Sequence, residues 1–336
     1  GFLFFSNIAS AATYISGTIS TNTTWTAANS PYVVSNVTVA SGVTLTIDPG
    51  VIVKFPASSY YLVVEGVLKI NGASTDKVYF TSYKDDTVGG DTNGDGNATA
   101  PASRDWNAFQ FFSGSGGNIS NAVIRYGGGS SSNNNCNYTG IICNFGGSLN
   151  ISNSQIANGY SGLYQTSGSL TITSSEIDNQ YYGVYISGGS ATIAQSSIHD
   201  NSQYGVYDNA GNSASLTLEN NTFSNNGSDA YIDGVNFTHS NNTSLSGSNK
   251  GFVVSGTLPA NAVWTPDNMP YIISPSATIS SGRTLTIQPA TVVKFQSQFN
   301  SILYINGALN ANGTLTDKIY FTSIKDDTVG GDTNGD

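Results

Sequence analysis

A short period in the middle of the chain limits its fold more than any other feature. Between residues 148 and 232, Ser148-Leu149, Ser169-Leu170, Ser190-Ala191 and Ser215-Leu216 open successive copies. Ile156, Ile177, Ile198 and Phe223 hold one apolar position, and Gly162-Leu163-Tyr164, Gly183-Val184-Tyr185 and Gly205-Val206-Tyr207 hold another. The first apolar position recurs after 21, 21 and then 25 residues, the last step lengthened by Asn209 to Ser213. Each copy offers two or three short alternating strands between Gly, Ser and Asn turns, and no copy can bury its apolar face alone. Stacking solves this, because a coil laid on the next one buries a continuous inner column while its backbone groups pair up and down the stack. The period therefore predicts a parallel β-solenoid with rungs of about 21 to 25 residues.

These rungs, with their x-Ile-x-Asn and Gly-Val-Tyr signatures, resemble the right-handed parallel β-helix superfamily of secreted and cell-surface repeat proteins with the pectate-lyase-like fold. The resemblance covers nearly the whole chain from about residue 33 and implies an all-β, right-handed parallel β-helix. It is specific for fold and weak for function, since that fold hosts polysaccharide lyases, glycoside hydrolases, adhesins and phage tailspikes. The earlier segment fits as first coils: Leu45 and Leu68, like Ile47 and Ile70, are 23 residues apart. A β-sandwich would not produce such even spacing with aligned Ile and Tyr columns.

A longer repeat encloses the short one. Gly42 to Phe55 (GVTLTIDPGVIVKF) returns 240 residues later as Gly282 to Phe295, and Asp76 to Asp95 returns 241 residues later as Asp317 to Asp336. Tandem modules of about 240 residues are expected: one complete copy over 13–250 and a truncated second copy over 251–336. Within the first, 13–36 is read as an N-terminal cap over the open core, 85–105 as an Asp/Gly-rich loop and 106–250 as regular rungs. Residues 1–12 (GFLFFSNIASAA) read as the latter part of a secretory signal peptide, an apolar run followed by an A-x-A pattern, or else as an apolar first strand.

Composition narrows the function classes. Only 10% of residues are charged, Met occurs once, and Ser, Thr, Asn and 38 Gly dominate, which disfavours long helices. The net charge of −10 with 11 Lys plus Arg and no basic cluster argues against nucleic acid, and no apolar run is long enough to span a bilayer. Nothing in the sequence signals an oligomer.

The sharpest local motif is Asp91-Thr92-Asn93-Gly94-Asp95-Gly96, in which Asp91, Asn93 and Asp95 take the first, third and fifth positions of a D-x-N-x-D-G loop. That spacing gathers hard oxygen ligands and suits Ca²⁺. It resembles calcium loops of the EF-hand and dockerin kind, but the twelfth position is Ala102 rather than a bidentate Glu. Asp85, Asp86 or Asp105 would have to complete the shell, and Asp332, Asn334 and Asp336 would repeat the site. The alternative is an acidic surface loop without metal.

Four further groups stand out. Asn158, Asn179, Asp200 and Asn225 share one rung position and are read as a turn ladder. Tyr164, Tyr185, Tyr207 and Tyr231 form an outward column that either stacks on sugar rings or stacks on itself. Cys136, in the long insertion from Gly127 to Thr139, and Cys143, just after it, are read as a disulfide pinning that loop. For catalysis, Asp178 and Asp200 are a conceivable carboxylate pair, but both belong to turn columns. Arg104, beside the acidic loop, is expected to pair with it. Thr-rich strands raise ice binding, although Thr44/Thr46, Thr171/Thr173 and Thr284/Thr286 do not persist through every rung.

The sequence thus predicts a secreted or cell-surface, calcium-stabilised, non-catalytic structural or adhesive repeat protein that meets glycans or surface proteins. The competing reading is a polysaccharide lyase, a glycoside hydrolase or a carbohydrate-binding module on the same fold.

Overall fold

A computed structural model describes residues 12–129, 136, 140–234, 236–296 and 300–336. The expected leader, apart from Ala12, lies outside the described residues, as does most of the insertion from 127 to 139. The described part is a right-handed parallel β-solenoid in which each strand pairs with its counterpart one rung away. The alternation that drives this is plain in Ala214–Glu219, where Ala214, Leu216 and Leu218 are buried while Ser215 and Glu219 face water. Leu149, Leu170, Ala191, Leu216 and Phe237 stack as one inner column. Ile47, Ile70, Ile119, Ile151, Ile172, Ile193 and Leu218 form another, with Trp25 at one end and His239 at the other. The predicted columns of Ile156, Ile177, Ile198 and Phe223, and of Leu45 with Leu68, are present in register and fully buried.

The corners explain the richness in Asn and Ser. Asn158, Asn179, Asp200 and Asn225 adopt left-handed backbone with φ of 53 to 57°, which Asn and Asp tolerate better than most residues. Their side chains point outward, and the one bond among them runs from Asn225 Nδ2 to Asp200 Oδ1 (3.2 Å). The buried polar ladder belongs to the next residue in each rung. Gln180 Oε1 accepts Gly159 N–H (2.7 Å), Asn201 Oδ1 accepts Gln180 N–H (3.2 Å), and Asn226 Oδ1 accepts Asn201 N–H (3.2 Å). A second ladder occupies the preceding corner, where Ser154, Ser175, Ser196, Asn221 and Asn242 each accept the backbone N–H of the residue one rung earlier. Backbone donors stranded where the chain leaves a strand are thus satisfied inside the coil, as buried polar groups must be.

The second sequence copy continues the same solenoid. Its first strand, Phe252–Thr257, pairs with Ser228–Asp233 of the last rungs of the first copy and with Tyr271–Ile279 beyond it. No helix among the described residues is long and apolar enough to cross a membrane.

Candidate metal centre

The acidic loop is placed by a lysine that sequence reasoning passed over. Strand Ile52–Phe55 buries Val53 and Phe55 in the core, so Lys54 between them points outward, and the loop folds over it until Lys54 is itself fully buried. Its Nζ donates to the carbonyl oxygens of Asp85 (2.8 Å) and Gly90 (2.7 Å), pinning both ends of the approach to the D-x-N-x-D-G turn. Burial lowers the Lys54 pKa, and the neighbouring charges of Asp85, Asp86 and Asp91 work against that. The second copy repeats the device: Lys294 is equally buried and donates to Asp326 O (3.0 Å), Gly331 O (2.6 Å) and Thr333 Oγ1 (2.6 Å). The signal was available, because Val-Lys-Phe closes the same strand in both copies of the long repeat.

Within the loop, Asp91 organises the turn. Its Oδ1 accepts the N–H groups of Gly94 (2.7 Å) and Asp95 (3.1 Å), and its Oδ2 accepts that of Gly96 (2.9 Å). These bonds, led by the one from Gly96, hold the Asp91 carboxyl below its ordinary pKa. One carboxylate oxygen from each of Asp86, Asp91 and Asp95 lies within 4.8 Å of the others. Asp327, Asp332 and Asp336 converge in the same way in the second copy. Some oxygens of the two loops have no hydrogen-bond donor: Asp86 Oδ1, Asn93 Oδ1 and Asp95 Oδ1 are shielded from water and unpartnered, as is Asn334 Oδ1. The pKa of Asp86 is raised, first by desolvation and then by the charge of Asp91. A set of hard oxygens that repel one another, some of them without donors, fits a divalent cation such as Ca²⁺.

Two of the expected ligands are employed elsewhere. Asp85 is fully buried and accepts Arg125 through Nε (2.9 Å) and Nη2 (2.6 Å), with Thr87 Oγ1 on its other oxygen (2.6 Å). Burial alone would raise the Asp85 pKa, but hydrogen bonds from Thr81, Thr87 and Arg125 hold it below the ordinary value. Asp105 accepts Ser82 (2.7 Å), Lys84 (2.9 Å) and the Ala102 N–H (2.9 Å), away from the three converging carboxylates. Arg125, not Arg104, therefore closes the loop onto the next rung. Arg104 lies over the ring of Tyr160 at 4.2 Å.

The tyrosine column is less open than strand alternation suggested. Tyr164 and Tyr185 are buried against the Cys136–Cys143 disulfide and Ala108, while Tyr207 and Tyr231 are half-buried. Successive rings lie 5.3, 4.9 and 5.1 Å apart. A neighbouring set, Tyr160, Tyr181, Tyr182 and Tyr204, was not foreseen. Tyr160 stacks on Tyr181 (4.9 Å) and Tyr182 on Tyr204 (5.9 Å), so ring faces that could meet a sugar are largely spent on each other.

The conceivable catalytic pair is likewise committed. Asp178 accepts Gln155 (3.1 Å) and Asn179 (2.5 Å), and Asp200 meets His199 Nδ1 (2.6 Å), whose Nε2 contacts Glu176 (3.0 Å). Burial raises the pKa of Asp178, whereas the bond from His199 lowers that of Asp200.

A family model described as the right-handed beta helix region matches residues 139–264. No curated protein and no solved structure matches the chain.

Proposed function

We propose, from the premise that this chain is a right-handed β-helix repeat protein, that it serves as a non-catalytic structural or adhesive rod, secreted or displayed at a cell surface and stabilised by calcium. The observation that carries the reading is the repeated acidic loop. Two copies of one turn, each seated on a buried lysine, converge three carboxylates and leave oxygens without donors. An ion there would neutralise the repulsion among Asp86, Asp91 and Asp95 and tie a long insertion to the rungs on either side. Its role would be structural, because the loop around it is committed to turn geometry and its carbonyls to Lys54 or Lys294. The polar ladders and self-stacked tyrosines suit a rod, whose solvent-facing Ser, Thr and Asn positions would meet glycans or partner proteins.

Calcium titration of the full chain tests this. Saturating calcium is expected to raise the melting temperature over that in chelator, by an amount that grows with ion concentration as binding linkage requires, with about 2.7 kcal/mol at a hundredfold excess over Kd. Asp91→Asn combined with Asp332→Asn should abolish the increment. Identical melting in calcium and chelator would defeat the metal assignment.

A further inference from the structure

We propose that the meeting of the two sequence copies is a specific module-to-module joint, closed by a buried clasp of Asp267, His239 and Tyr271. The reading is independent of calcium.

Backbone pairing is thin here. Elsewhere each rung is held to the next through all its strands, but among the described residues one strand ladder crosses from the first copy to the second. It joins Ser228–Asp233 to Phe252–Thr257 through four residue pairs. Strand Asn236–Ser240 has no partner on the far side, and Ala262–Trp264, the strand that follows it in the stack, pairs only onward with Thr284–Ile287.

Side chains supply what the ladders omit. His239 occupies the inner column held by Ile151, Ile172, Ile193 and Leu218 in the rungs before it, where an imidazole is costly unless its nitrogens are satisfied. They are satisfied from the second copy: Nδ1 meets Asp267 Oδ2 at 2.7 Å, and Nε2 meets the Tyr271 hydroxyl. Asn242 Nδ2 adds a bond to Asp267 Oδ2 (3.3 Å), and Thr265 N–H donates to the Tyr271 hydroxyl (3.0 Å). With Nδ1–H donating to the carboxylate and the Tyr271 hydroxyl donating to Nε2, both nitrogens of His239 have a partner. The side chains of His239 and Asp267 are 2% and 0% exposed. Tyr271 is 1% exposed, so the side chains of the relay are turned into the coil. On another side of the joint, Lys250 pairs with Asp332 (2.9 Å) and its N–H reaches Thr333 O (2.9 Å).

The clasp is particular to this joint. The residue of the first copy that corresponds to Asp267 is Ala28, and Tyr32, the counterpart of Tyr271, donates instead to Thr26 O (3.2 Å). The surface formed by Asp267, Tyr271 and Phe252 therefore fits one kind of partner, a preceding rung that ends its inner column in histidine.

Hydrogen exchange of the full chain, read by segment, tests the proposal. Asp267→Ala should speed exchange across 271–279 by about tenfold or more while 163–206 changes by less than about twofold. His239→Leu, which restores the aliphatic residue of the earlier rungs, should loosen the same segment. Wild-type exchange over 271–279 in either variant would overturn the clasp, the Leu result by showing that filling the column suffices. Equal acceleration in both segments would overturn it as well, since the residue would then support the whole coil.

Discussion

The strand Thr13–Ile19 opens the first copy and Phe252–Thr257 opens the second, yet they live in different surroundings. Tyr14 is 68% exposed, whereas Val253 at the matching position is 5% exposed. Both strands pair with the strand that follows them, but among the described residues only the second also pairs with the rung before it. The residues have adapted: Phe252, packed by Phe237, His239 and Tyr271 at 5.0, 4.4 and 5.9 Å, corresponds to Thr13. One local pattern thus makes the same strand in both places, and the neighbouring coil decides whether its near face is core or surface. In the second copy the segment expected from the first to be a cap is the middle of the stack.

The largest effect that would test this contrast comes from Phe252. Phe252→Ala should cost about 3–5 kcal/mol, the range for emptying a fully buried aromatic site. Thr13→Ala should fall within about 0.5 kcal/mol of wild type, as a half-exposed position does. Urea midpoints of the two variants measure both. Equal losses would mean that the two strands are buried alike in solution, and the contrast would collapse.

An intermediate effect is expected at the loop lysines, whose contacts are alike in the two copies. In the first copy Arg125 from the following rung reaches back to Asp85, so the loop is held from both sides. In the second, Asp326 is held by Thr322 and Thr328 within its own segment. Lys54→Met removes the donor from two carbonyls and should cost about 1–3 kcal/mol of global stability. Lys294→Met removes the donor from the carbonyls of Asp326 and Gly331 and from Thr333 Oγ1, and should expose 326–336 to protease. Unchanged protease resistance of 326–336 in Lys294→Met would show that the lysine does not hold the loop.

How much of this was legible in the sequence depends on whether a residue's role is set within its rung or between rungs. Periodicity placed Ile156, Ile177, Ile198 and Phe223 in one column because inward positions recur at fixed spacing, and the fold followed. Asn158, Asn179, Asp200 and Asn225 showed where the chain turns. They did not show that the neighbours Gln180, Asn201 and Asn226 carry the buried ladder, since only three-dimensional stacking sets one residue's oxygen over another's N–H. The D-x-N-x-D-G spacing picked out Asp91 and Asp95, but could not tell Asp86, which joins them, from Asp85 and Asp105, which other side chains claim. His239 was visible as one of two histidines. Its placement in an aliphatic column shows only when Phe237-Thr238-His239 is aligned with Leu216-Thr217-Leu218.

The smallest expected effect separates the interior of the first copy from its joint with the second by pH. Asp208 and Asp229 are both fully buried, and burial pushes each carboxyl up to about 7. Asp208 sits in a column between Ile186 and Ile232, with one oxygen taking the Ala210 N–H (3.1 Å). Asp229 instead accepts the N–H of Gly251 (3.1 Å), the residue that leads into the second copy. A carboxyl whose pKa is higher folded than unfolded binds more protons in the folded state. Its contribution is complete below the ordinary value near 4 and is lost as pH rises through about 7. Asp85 and Asp91, held low, act the opposite way, and their contribution fades only as pH falls below about 4. Between about pH 4 and about pH 7 the melting temperature should therefore fall by a few degrees. Asp208→Asn should flatten that slope for the chain as a whole. Asp229→Asn should flatten the pH dependence of hydrogen exchange at 252–257 while leaving that at 163–172 unchanged. A slope that persists when Asp208→Asn and Asp229→Asn are combined would assign the pH dependence to other groups, and would remove Asp229 as a difference between the joint and the strand Thr13–Ile19.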